Sequence, residues 1–98
     1  MTPEQQIYHG DRAREVLKNE AYINAFDAIE QELTEQWKKS PPRDEVGREK
    51  IYMAQCMLQK LKTALESTMT SGKLATAELQ HKRSLLDRAR TWTGATSL

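Results

Sequence analysis

The sequence predicts an all-α protein: a helical bundle of three to four helices built around a long antiparallel helical hairpin, and expected to be oligomeric. Three observations lead there. Apolar residues recur at steps of three and four along most of the chain, the period of one helical face. The breakers are few, with 4 Gly and 3 Pro, and several of them punctuate the periodic runs. Alternating apolar and polar residues, the mark of a strand, occur nowhere.

Each helix can be justified in turn. Thr2-Pro3-Glu4 is a helix start, because Thr caps, Pro suits the first helical position and Glu favours the first turn. Ile7, Tyr8, Ala13, Val16 and Leu17 then support a helix over about 3–18, weakened in its middle by Gly10. Asn19 can cap the next helix, over 20–39. Its stripe of Tyr22, Phe26, Ile29, Leu33 and Trp37 is the clearest periodic signal in the chain. Ser40-Pro41-Pro42 ends it, since a residue before proline is pushed out of the helical region. Asp44 caps a third helix over 44–70, on which Ile51, Ala54, Leu58, Leu61, Leu65 and Thr68 alternate steps of three and four. Met53, Met57, Ala64 and Met69 flank that line. Ser71-Gly72 reads as a break, glycine being the usual residue just past a helix end. A fourth helix over 73–92 carries Leu74, Leu79, Leu85, Leu86, Ala89 and Trp92, and residues 93–98 read as a flexible tail. Turned back at Gly72, this helix would pack on the third, and the second would complete an up-down-up bundle. Tyr22, Phe26, Trp37 and Trp92 are the expected core aromatics, with Trp92 anchoring the last helix.

At 98 residues the chain makes one domain, with a modest core of its own. The start of the chain has neither the basic segment nor the apolar run of a signal peptide. No apolar run approaches the roughly 18 residues of a membrane span, so no membrane partner is expected. One cysteine, Cys56, cannot form an intrachain disulfide and suits a reducing compartment. The expected location is the cytoplasm of a bacterial host cell, or a virion assembled there.

Charge is segregated although the total is only +1. Residues 19–37 hold five acids (Glu20, Asp27, Glu30, Glu32, Glu35) and no base, whereas residues 73–98 hold five bases and two acids. Acidic and basic helices in one chain are expected to pair, within or between subunits.

Chemistry is sparse. Neither His9 nor His81 has a His or Cys at metal-ligand spacing; Glu78-Leu-Gln-His81 has the Glu-x-x-His spacing, but it occurs once, and a dinuclear helical site draws that motif from two helices. There is no glycine-rich phosphate loop and no nucleophile elbow. No catalytic residue, metal or cofactor is therefore expected, and the chain is read as no enzyme. The residues that carry an expectation are surface-forming. Ile51, Met53, Met57, Leu58, Leu61 and Leu65 are the candidate oligomer interface, since their apolar set is wider than one stripe. Lys82, Arg83, Arg88 and Arg90 are a candidate basic contact face for phosphates, though Glu78 and Asp87 interrupt it, so nucleic-acid binding is expected to be weak.

The run Asp11-Arg-Ala-Arg-Glu-Val-Leu17, then Ala25-Phe26, Trp37-Lys-Lys-Ser-Pro-Pro-Arg-Asp44, Gly47-Arg-Glu-Lys50 and Gly72-Lys-Leu-Ala75 resembles small helical accessory proteins of tailed bacteriophages and prophages, encoded near DNA-packaging and head genes. That resemblance implies a virion-assembly or packaging accessory, or a modulator of a host protein, and carries over no active site. The function expected is a homo-oligomeric helical interaction protein with a phage structural or host protein as partner. A small DNA-binding subunit, like a small terminase or a regulator, is the alternative.

Overall fold

A computed structural model of the chain describes the backbone of residues 1–96 and the side chains of residues 1–92. It is all-helical among the described residues, with three helices, α1 (Pro3–Lys18), α2 (Glu20–Lys39) and α3 (Glu45–Thr96).

The ends of α1 and α2 are set by local hydrogen bonding. Thr2 and Gln5 form a reciprocal capping box: the Gln5 amide donates to Thr2 Oγ1 at 3.2 Å and the Thr2 amide donates to Gln5 Oε1 at 3.0 Å. Both ends of the α1–α2 joint belong to one residue. Asn19 is extended (φ −70°, ψ 123°). Its amide donates to the Val16 carbonyl at 3.0 Å while its Oδ1 accepts from the Tyr22 amide at 3.1 Å. A side chain that caps as well as asparagine can end one helix and start the next without a loop.

The turn at residues 40–44 reverses the chain. Ser40 Oγ donates to the Trp37 carbonyl at 2.6 Å. Asp44 Oδ1 accepts from the Gly47 amide at 3.0 Å, and the absence of a Cβ on Gly47 leaves room for that carboxylate. Arg48 locks the reversal from α3: its Nη1 donates to Ser40 Oγ at 2.9 Å, and its guanidinium lies 3.8 Å from the Trp37 ring centroid.

After the turn, α3 runs for 52 residues, about 78 Å at 1.5 Å per residue. The expected break at Ser71-Gly72 does not occur; helices expected over 44–70 and 73–92 are one. The tail expected from residue 93 is helical backbone through Thr96, and residues 97 and 98 lie outside the described residues. Extending a helix adds one hydrogen bond per residue fixed, so an isolated glycine lowers its stability by about 1 kcal/mol without ending it.

Gly72 serves a tertiary contact instead. A Cβ on Gly10 would stand 2.7 Å from Gly72 Cα, and one on Gly72 would stand 2.8 Å from Gly10 Cα. The two backbones touch where neither residue has a side chain. Ala13 and Ala75, 4% and 2% exposed, continue this seam of small residues. Farther along, α2 lies on α3 through buried Phe26 and half-buried Tyr22, Leu33 and Trp37. Thus α1 and α2 lie end to end, antiparallel to α3, as one jointed arm of a hairpin.

Within one chain this is a two-layer hairpin in place of the expected three-helix bundle. Its extents are 83 × 25 × 18 Å and its radius of gyration is 22.8 Å, against about 13 Å for a compact domain of this length. From Gln80 to Trp92 every residue of α3 is exposed.

Candidate interaction surface

Among the described residues the buried hydrophobic core consists of Ala13, Phe26 and Ala75. Large apolar side chains stand in solvent instead. On α3 alone, Val46, Met53, Met57, Leu61, Leu74, Leu85, Leu86 and Trp92 are all at least 50% exposed. Scattered exposed hydrophobics are ordinary, but a contiguous apolar patch marks an interaction surface.

These eight form two groups, Val46–Leu61 and Leu74–Trp92, and no exposed large apolar side chain lies between Leu61 and Leu74. At about 100° per residue the eight fall within an arc of about 140°, and Tyr52, 60% exposed on the same helix, lies outside it. That arc adjoins the side of α3 that carries α1 and α2. The opposite flank of the α2–α3 seam is polar: Gln59 Nε2 donates to Glu30 Oε2 at 3.0 Å, and Lys62 Nζ lies 5.2 Å from the Phe26 ring centroid. The arc also carries exposed Glu49, Lys50, Lys60, Glu78 and Lys82, so large apolar side chains and charges share this side of α3.

The six residues read from the sequence as one interface divide between two environments. Ile51, Leu58 and Leu65 are half-buried on the side of α3 that carries α1 and α2. Met53, Met57 and Leu61 are 59%, 64% and 52% exposed and lie on the arc. Leu61 thus departs from the packed line in which the spacing placed it. Of the expected core aromatics, Phe26 is buried and packs at 6.0 Å, ring to ring, on Tyr22. Trp37 is half-buried under Arg48. Trp92 is not a core residue of this chain: it is 73% exposed, because the helix that would have folded back to bury it continues outward.

Lys82, Arg83, Arg88 and Arg90 are exposed on that projecting segment, but a step of 100° per residue spreads them around the helix, with only Arg83 and Arg90 sharing a side. The Gly10–Gly72 contact and the Arg48–Trp37–Ser40 lock escaped the sequence reading. A glycine in the middle of each of two helical patterns was the available signal for the first.

Centres of chemistry are hard to assemble from what remains. Among the described residues no three of His, Cys, Asp and Glu gather to hold a metal ion. Half-buried Cys56 shares a side-chain hydrogen bond with Tyr52, which is the first cause raising the Tyr52 phenol above its ordinary value. No described helix is long and apolar enough to cross a membrane. The fold class is therefore all-α and extended, with large apolar side chains of α3 exposed. No protein-family model, curated protein or solved structure matches the chain.

Proposed function

We propose that this protein is a non-enzymatic helical interaction protein that works by burying the exposed apolar residues of α3 against other chains, a second copy first among them. The observation that carries this reading is the inversion of burial: three residues form the closed core while eight large apolar side chains of α3 stand in solvent along one arc. Burying such surface contributes about 25 cal/mol per Å², and only another chain can cover it. The resemblance to small tailed-phage proteins directs the reading toward virion assembly or packaging, or toward modulation of a host protein, in the cytoplasm of a bacterial host or in the virion.

Multi-angle light scattering tests it. The wild type is expected well above its 11.3 kDa chain mass at micromolar concentration, and Met57→Glu is expected to shift it toward that mass. A wild type that stays monomeric at high micromolar concentration overturns the reading.

The four exposed bases of the projecting segment favour one other reading, a small DNA-binding subunit. Phosphate contacts release counterions, so any such binding weakens steeply with salt. Glu78 and Asp87 interrupt the basic set, and binding to duplex DNA is expected to be weak and to vanish near physiological salt. Sub-micromolar, sequence-dependent binding there would put the DNA-binding reading first.

A further inference from the structure

Resting on the self-associating reading above, we infer a specific partner geometry: two copies pair antiparallel about a two-fold axis near Ser71. The projecting segment of each α3 (residues 80–92) then fills the groove between α2 and α3 of the other.

Four observations converge on this arrangement. The first is length. The hairpin covers α3 up to about Leu79 and leaves residues 80–92 exposed, about 20 Å of helix, while the jointed arm's second half, α2, spans 20 residues, about 30 Å. An antiparallel copy in full overlap centres the pair between Thr70 and Ser71, and each bare segment then ends level with the far end of the other copy's α2.

The second is apolar register. In that overlap Leu85, Leu86, Ala89 and Trp92 come level with positions 56, 55, 52 and 49 of the other α3. They fall between its Val46, Met53 and Met57, as knobs fall between the residues of a facing helix. Exposed Ile29, on the flank of α2 turned to the same side, closes the groove. At the centre of the pair the same arc carries Ala64, Ser67 and Ser71, small enough for two long helices to approach.

The third is charge. The bare segment runs parallel to the other copy's α2, and Arg83 and Arg90, which share a side of the segment, come level with the stretch that carries its Glu32 and Glu35. Within one chain these two segments never meet, since α2 lies on the opposite half of α3. Complementary charge sets register and orientation between helices.

The fourth is area. A contact one helix diameter wide, about 10 Å, along about 78 Å of α3 covers about 800 Å² a side, the standard size of a stable interface. Each end of such a dimer is a three-helix bundle of α2, the first half of α3 and the other copy's terminal segment. The up-down-up packing that the sequence pattern calls for is thereby completed between chains.

Pulsed electron paramagnetic resonance distances on spin-labelled protein decide it. Labels go on Thr70→Cys and, separately, Thr91→Cys, both in Cys56→Ser, with helicity checked by circular dichroism. Both sites are exposed and off the apolar arc. The expected result is a short distance, about 20 Å or less, between the labels at position 70, and about 60 Å between those at position 91. Short distances at both sites would mean parallel pairing; a short distance at 91 with about 50 Å at 70 would mean that only the tips meet. Either overturns this geometry while leaving self-association standing, whereas the absence of any coupling overturns both. A charge exchange gives the second arm of the test. Arg83→Glu with Arg90→Glu, and Glu32→Lys with Glu35→Lys, are each expected to weaken the dimer at least tenfold. Combining all four restores it to within a few-fold. Failure of the combination to rescue, in proteins that remain helical, removes the pairing of the basic segment with α2.

Discussion

The two halves of α3 make an internal control. Residues 45–79 lie under α1 and α2, with the Gly10–Gly72 contact, Phe26 and the Arg48 lock holding the layers together. Residues 80–92 belong to the same unbroken helix, and every one of them is exposed. Composition does not separate the halves, since both carry leucines interspersed with charges. What differs is the partner. A helix of fewer than about 12–15 residues is marginal alone in water, and most helical stability comes from packing an apolar face. The proximal half has its packing within the chain, and the distal half has to find it elsewhere.

The largest effect should come from breaking the proximal half where its backbones touch. Gly72→Leu places a branched side chain against the backbone of α1, which cannot yield as a side chain would. A loss of about 3 kcal/mol or more is expected in urea unfolding, with detachment of α1. The matched change on the distal half, Ser84→Leu, should stay within about 0.5 kcal/mol. Equal losses at both positions would dissolve the distinction between the halves.

Phe26→Ala is next, at about 3–5 kcal/mol for an aromatic deleted from a core, and toward the lower figure because Lys62 and Tyr22 can settle into the space. Trp92→Ala reverses the usual ranking of the two rings. Its tryptophan is 73% exposed in one chain, so its removal should leave the unfolding of dilute monomer almost unchanged and weaken self-association. Light scattering across a concentration series, beside thermal melts, separates the two effects. A large fall in monomer stability would place the ring back in the core.

A smaller effect is expected at the reversal. Arg48→Lys keeps the charge but loses the planar stacking on Trp37, and about 1 kcal/mol should go with it. Smallest of all is Tyr22→Phe. The Tyr22 hydroxyl is buried with no hydrogen-bond partner in the chain, a condition that costs free energy. Its removal should leave stability unchanged or raise it by up to about 1 kcal/mol, as read by chemical denaturation. A clear loss would show that the hydroxyl is satisfied.

Much of the local structure was legible because its causes are local. Thr2, Asn19 and Asp44 read as caps, and each accepts a hydrogen bond from a backbone amide three residues on. Ser40-Pro41-Pro42 read as a stop, and α2 ends at Lys39. The Tyr22–Phe26–Ile29–Leu33–Trp37 stripe read as the packed face of α2; four of its members lie against α3, whereas Ile29 stands 46% exposed. Ser71-Gly72 was misread because a glycine has two uses that look alike in a sequence. It can end a helix or let two helices touch, and only the position of Gly10 across the seam distinguishes them. The misplacement of Trp92 follows from that one reading, since its burial depended on a turn at Gly72.

By itself, then, the sequence determined the helical class, the caps and stops of the first two helices, and the separation of acidic α2 from the basic end of α3. These depend on backbone hydrogen bonding and on periods of three and four residues, which neighbours in the chain control. Tertiary structure alone decided that α3 runs unbroken past Gly72, and that its apolar face is shared between an inner packing side and an open one. Those outcomes depend on whether two glycines sixty-two positions apart come into van der Waals contact, and no local pattern encodes that separation.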